Sequence, residues 1–438
     1  MIREYDLMKN KSDKSKRWFR LDNAAKIYPA AKTRNWSNVF RQSATLIEEV
    51  DKNVLKSALD IVVKRFPSIA TRLQKGVFWY YLQEIDTLPE IKDEYSYPLV
   101  YMGNEEMQQC AFRVIVYHNR IAVEFFHSIT DGTGAMIFLK NLVAEYLEQK
   151  YGLKVPYEYG IVDRTLSPTE EELEDCYLKS ASNVPLSRKD TDAWRLYGES
   201  EKDGFLTVIC FQLLVKDALE YAHKYQSTLT VFISAVMMKA LINLQIEKNP
   251  NVKRQKRIKL LIPVNLRQLF PSKTMRNFAM YTVPEIDPRL GEYTIEEICN
   301  IVKHKMGAEI TTKHMSCVIA TNVKDEKNPF LRLVPLPIKN AVMKAVFNSV
   351  GERKSCLTLS NIGAVKIPEI MKKYITRFDF ILGVQAAAPY NCGMLSYEDT
   401  LYINFIRNIK NPDLERHFFA VLKDIGLCPT VESNQNER

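Results

Sequence analysis

Arg120-Ile121-Ala122-Val123-Glu124-Phe125-Phe126-His127-Ser128-Ile129-Thr130-Asp131-Gly132 is an apolar, strand-like run that ends on a histidine and turns through an Asp-Gly pair. Upstream, Ala111 to Tyr117 is equally rich in Val, Ile and Phe, with His118-Asn119 between the two runs, so residues 111 to 127 read as a β-hairpin. Downstream, the segment from Ala135 to Lys150 carries Met136, Leu139, Leu142, Val143, Tyr146 and Leu147 at helical spacing. His127 thus sits on a strand-to-helix turn, beside the positive end of a helix. Gly132 permits backbone geometry there that a side chain would hinder.

An imidazole in that place suits general-base chemistry. Its unperturbed pKa of about 6.5 leaves it mostly neutral, yet protonatable, at cellular pH. It can take a proton from a hydroxyl or amine, which then attacks an activated carbonyl such as a thioester with no covalent enzyme intermediate. One base and one oxyanion donor suffice. Asp131, four residues on, invites a triad reading. Across so tight a turn, however, the carboxylate is expected to point away and hold the loop through an arginine, with Arg267 in Pro263-Val264-Asn265-Leu266-Arg267 as the candidate partner. Ser128, Thr130 and Thr133 have no G-x-S-x-G context and read as turn and cap residues. His118, in the hairpin turn, reads as exposed, and His223, His304, His314 and His417 have no ligand-like spacing.

The rest of the chain bounds the class of protein. At 438 residues it exceeds one ordinary core, and two lobes are expected. Hydrophobic residues make up 46% against 26% charged, the balance of a packed globular chain. A net charge of +9 is mild for this length, which argues against a dedicated nucleic-acid binder and suits an anionic small ligand. The densest basic run, Lys253, Arg254, Lys256, Arg257 and Lys259, reads as a solvated loop before a strand. Eight cysteines lie scattered without a C-x-x-C pair, so no structural metal site is expected. The start has no apolar signal core and no run approaches 18 uninterrupted apolar residues, so a cytoplasmic protein without a membrane span, acting as a monomer, is expected.

Along the chain, residues 1–17 form a basic extension and residues 18–164 a lobe carrying the histidine turn. Residues 165–204 form a polar crossover whose Ser167 to Glu172 stretch suggests a capped helix, and residues 205–438 form the second lobe. In the first lobe, Val54, Leu55, Ala58, Val62 and Phe66 mark an amphipathic helix ended by Pro67, and Phe78-Trp79-Tyr80-Tyr81 reads as a core strand. In the second, strands are expected at 205–214, 258–264, 355–360, 375–385 and 400–406, with helical patterns at 215–246 and 411–425. Strands and helices mixed without strict alternation indicate an α+β fold.

Strand-H-x-x-x-D-G-helix resembles the superfamily of chloramphenicol-acetyltransferase-like enzymes that joins plant BAHD acyltransferases, peptide-synthetase condensation domains, polyketide-associated acyltransferases and alcohol acetyltransferases. Arg65-Phe66-Pro67, Pro263 to Arg267, Asn277 in Arg276-Asn277-Phe278, and Thr358-Leu359-Ser360-Asn361-Ile362-Gly363 resemble family landmarks in the expected order, covering about residues 20 to 425. The resemblance implies two similar lobes, each a mixed sheet with helices, and a tunnel between them with His127 midway. It implies an acyl thioester entering from one mouth and a small alcohol or amine from the other. Acyl-CoA would be a co-substrate and no cofactor would be bound, with a carrier-protein thioester or a non-catalytic binding role as alternatives. Asp131, Gly132 and Arg267 would be structural at the site, Thr358 or Ser360 an oxyanion donor, and Asn277 and Asn361 tunnel residues. Thr358 and Ser360 read equally well as polar edges of a buried strand. The plant D-F-G-W-G motif is absent, since the nearest string, Asp379-Phe380-Ile381-Leu382-Gly383, lacks the tryptophan, which favours the bacterial or fungal alcohol-acetyltransferase branch, or a condensation-like enzyme, over a plant-type one.

Overall fold

The computed structural model describes residues 16–32, 38–186, 191–324, 333–346, 354–384 and 388–435, so all but the end of the basic extension at 1–17 lies outside the described residues. Three sheets carry the architecture. A small one joins Trp18–Arg20 (β1), Thr71–Lys75 (β3) and Tyr80–Glu84 (β4), with β4 in the middle. A five-stranded sheet joins Val39–Leu46 (β2), Ile91–Asp93 (β5), Phe112–Tyr117 (β6), Arg120–Phe126 (β7) and Ile375–Ile381 (β13) in the order β13-β2-β7-β6-β5. The largest is built from Thr207–Leu214 (β8), Ile258–Asn265 (β9), Ala279–Thr282 (β10), Glu285–Ile286 (β11), Leu357–Ala364 (β12), Tyr390–Tyr397 (β14), Thr400–Arg407 (β15) and Thr430–Ser433 (β16). Its order is β10-β9-β12-β14-β15-β8-β16, with β11 also on β9. Only β12 runs parallel to its neighbours, β9 and β14, so this sheet is mixed, as is the five-stranded one through its parallel β5-β6 pair. The result is the expected α+β layering in two lobes.

The hairpin beneath the histidine forms as its residues dictate. Tyr117 pairs with Arg120, leaving His118-Asn119 as a two-residue turn in which His118 takes φ 48° and the Asn119 amide donates to the Leu46 carbonyl at 2.6 Å. The helix that follows spans Gly132–Tyr151, three residues earlier than its apolar spacing alone suggests. The difference is a cap: Asp131 Oδ1 accepts from the amides of Thr133 and Gly134 at 3.1 and 3.0 Å and so satisfies two of the first-turn donors. At the other end Gly152, at φ 67°, terminates the helix in the left-handed conformation.

This helix and Lys52–Arg65 cover the five-stranded sheet, with Phe66, Phe112 and Phe125 each meeting Phe138 edge to face in the core. The second core is centred on the helix Leu229–Lys248, which packs against Ile295–Glu309 and Asp413–Asp424. Contrary to the expectation from uninterrupted apolar runs, Leu229–Lys248 is long and apolar enough to cross a membrane by length and composition. Its apolar faces are mostly buried by these neighbours, as in the core helix of a globular protein.

Two expectations need correction. The boundary at residue 205 does not separate the sheets: β13 leaves the second half of the chain and pairs antiparallel with β2, Phe380 opposite Gln42, so the first lobe is completed by a strand from 375–381. The two sheets then touch closely enough that a Cβ on Gly393 would lie 2.5 Å from the Phe380 carbonyl oxygen. Phe78-Trp79-Tyr80-Tyr81 is also not a core strand. Phe78 is exposed and its three neighbours are half-buried: Tyr80 reaches the first core, while the Trp79 ring packs under a cation, Lys339 Nζ standing 3.6 Å from its centre.

Candidate active site

The turn after β7 is held by an arm from the other lobe, the loop between β9 and β10. Arg267 donates from Nη1 to Asp131 Oδ2 at 2.7 Å and to Asn265 Oδ1 at 3.3 Å, and from Nε and Nη2 to the carbonyls of Thr274 and Arg276 at 2.7 to 3.0 Å. Phe278 adds its amide to the same Asp131 oxygen at 2.8 Å. Asp131 therefore receives two bonds on each oxygen, two from its own helix and two from the arm. Burial alone would raise this carboxyl, but the Arg267 charge and these hydrogen bonds hold it below the ordinary carboxylate value. The arm is further pinned by Thr130, whose hydroxyl donates to the Met275 carbonyl at 2.7 Å, and by Met275 N and Thr274 Oγ1 bonding the carbonyls of Glu172 and Glu174 in the crossover. A glycine is required where it crosses the helix: a Cβ on Gly134 would run into Thr130 Oγ1 and sit 2.5 Å from the Met275 carbonyl oxygen.

His127 stands half-buried where the two lobes meet. Its backbone amide donates to Asn38 O at 2.9 Å. Its ring stacks on Tyr28, with centroids 4.6 Å apart and planes at 20°, and leans on Phe40 at 4.9 Å. Its Nδ1 lies 3.2 Å from Asn277 Oδ1. Burial pushes the imidazole below its ordinary pKa, against the opposing pull of its own backbone carbonyl, Asp131 and Asn277. A neutral ring at neutral pH is the state a base requires.

Of the other residues singled out in the sequence, Gly132 opens the helix, and its Cα side faces Ile362 and Phe380, each 3.7 Å from where a Cβ would be. Ile362 belongs to β12, so this strand's end meets the histidine turn. By strand alternation Thr358 and Ser360 lie on the face opposite Leu357 and Leu359, whose side chains belong to the second core. Asn361 shares the leucines' face. Its Nδ2 donates to Thr230 Oγ1 at 2.9 Å and its Oδ1 accepts from Gly363 N at 2.7 Å, so it braces the strand against a helix. Tyr28, Phe40 and Asp22 escaped the sequence reading. Each sits in an unremarkable apolar or turn context, and only the tertiary fold brings them to the ring.

Neither a protein-family model nor a curated protein sequence matches the chain. Solved structures do. Trichothecene 15-O-acetyltransferase from Fusarium sporotrichioides superposes with a TM-score of 0.56 at 12% identity over 92% of this chain and 93% of its own. TRI101 of F. graminearum, complexed with ethyl coenzyme A, gives 0.58 at 11% identity over 92% and 96%. The first condensation domain of the calcium-dependent antibiotic synthetase gives 0.57 at 11% over 94% and 99%. The chain therefore has, nearly end to end, the two-lobed fold shared by these acetyltransferases and condensation domains.

Proposed function

We propose that this protein is an acyltransferase that moves an acyl group from an acyl-CoA thioester to a hydroxyl or amine acceptor, with His127 as general base. The observation that carries this reading is a neutral-leaning histidine at the meeting of two lobes whose neighbouring aspartate is wholly engaged elsewhere. With no oxygen of Asp131 free to pair with the ring, the imidazole works alone as the acid-base group. It takes the acceptor's proton as the acceptor oxygen or nitrogen bonds to the thioester carbonyl carbon. The resulting oxyanion collapses, the carbon–sulfur bond breaks, and the imidazolium returns its proton to the departing thiolate, so that an ester or amide and a free thiol leave. The face of β12 bearing Thr358 and Ser360 is the candidate source of an oxyanion donor.

Incubation with a panel of acyl-CoAs, with and without alcohols or amines, tests the reading by acceptor-dependent release of free thiol. His127→Ala should lose at least ~100-fold of that turnover with an unchanged circular dichroism spectrum. Near-normal turnover in the folded variant would remove His127 from the mechanism. The likeness to a condensation domain favours a second donor, a carrier-protein thioester. Activity only with an acylated pantetheinyl carrier would select it.

A further inference from the structure

A second buried carboxylate stands two hydrogen bonds from the His127 ring. Asp22, 1% exposed, follows β1. Its Oδ1 accepts from the Ala25 amide at 2.8 Å and its Oδ2 accepts from Asn277 Nδ2 at 3.3 Å, while Arg276 Nη2 lies 3.9 Å away. The other end of the Asn277 amide faces His127 Nδ1. We propose that Asp22 and Asn277 form a positioning relay that holds His127 with its proton on Nδ1 and leaves Nε2 as the basic nitrogen. The consequence for turnover rests on the acyltransferase reading; the relay itself does not.

Donor and acceptor chemistry settles each link in turn. An ionised carboxylate only accepts, so the end of Asn277 that meets Asp22 is its NH2 and the end that meets His127 is its carbonyl oxygen, which also only accepts. Nδ1 must then donate, and the single proton of a neutral imidazole is fixed there. Tyr28 and Phe40 hold the ring plane, so the relay removes the freedom that stacking leaves open, namely which nitrogen carries the proton. Among the charged and titratable groups near Asp22, Arg276 favours its ionised form, whereas Asp175 opposes it and burial raises its pKa to about 6. Tyr28 and Tyr177 also feel its charge. Above that pH the carboxylate is the form present.

The isosteric change Asp22→Asn reverses the polarity of the chain. Its carbonyl oxygen can still serve the Ala25 amide, but an NH2 group then faces Asn277. Asn277 must turn over and present its own NH2 to Nδ1, which becomes the bare nitrogen while Nε2 takes the proton. The experiment is two-dimensional ¹⁵N–¹H NMR of the full chain labelled with ¹⁵N-histidine, without substrate and above pH 6. His127 signals are assigned by their loss in His127→Gln. The expected result is a protonated Nδ1 and bare Nε2 in the wild type, exchanged in Asp22→Asn, with acyl transfer falling at least about 100-fold. A wild-type ring protonated on Nε2 would overturn the relay. So would an unchanged tautomer in Asp22→Asn, which would mean that the ring's own backbone carbonyl suffices. Should that variant fail to fold, Asn277→Ala reads the same link: both tautomers should be populated, and a single unaltered one would overturn the proposal. A tautomer that exchanges without loss of turnover supports the relay and instead sinks the general-base reading.

Discussion

The bond between Asp131 and Arg267 joins the two lobes at the site, and a double-mutant cycle measures it. The side chains are 6% and 11% exposed and their atoms lie 2.7 Å apart, so neither charge has water to fall back on. Asp131→Asn keeps the helix cap, since an amide oxygen can still accept from Thr133 and Gly134. It places an NH2 group against Arg267 and the Phe278 amide, however, so the whole loss falls on the arm. Arg267→Gln leaves Asp131 charged and buried with only amides for company. Each single change should cost on the order of 3 kcal/mol, as does breaking a buried pair, and the double change much less than the sum. Urea unfolding of the four proteins supplies the cycle, and a coupling above about 1 kcal/mol is expected. Additive losses would refute the clamp. A fall in turnover in Asp131→Asn with unchanged stability, and indifference to the loss of Arg267, would assign the aspartate to a triad instead.

Gly134→Ala should push the arm off the helix, because its methyl meets both Thr130 Oγ1, which itself bonds the arm, and the backbone oxygen of Met275. A loss of about 1–3 kcal/mol is expected with a parallel loss of turnover as Asn277 moves, and an unshifted thermal midpoint would contradict the close approach. Asp22 predicts a pH dependence of known sign. Its pKa is raised from 3.8 to about 6 on folding, so the folded state holds this proton more tightly. Its contribution to stability is fullest below about pH 4 and is lost as pH rises towards 6, by an amount on the order of 3 kcal/mol. The difference in urea midpoint between wild type and Asp22→Asn should follow that slope, and a flat difference across the window would count against it. Asp131 runs the other way: its depressed pKa stabilises the fold above about pH 4 and that contribution disappears on acidification below it.

Local chemistry made part of this protein readable in one dimension. The β6-β7 hairpin, the strand-to-helix turn at His127 and the helix after Gly132 follow from alternation, a two-residue turn and helical spacing, all of which act between residues close in the chain. Arg267 could be named as a partner for Asp131 because a carboxylate in so tight a turn needs a cation. What lay beyond reach was set by contacts between distant segments. β14, Tyr390–Tyr397, passed unnoticed because both its faces are buried and it shows no alternation. β13 could not be assigned to the first lobe because its pattern is that of any apolar strand, and only the vacant edge of β2 decides where it pairs. Asp22 looks like an ordinary turn residue closing on Ala25. Folding carries it to Asn277, 255 positions along the chain, and no spacing in the sequence records that distance. The histidine and its turn were therefore written in the order of residues, while the groups that orient its ring were chosen by the packing of one lobe against the other.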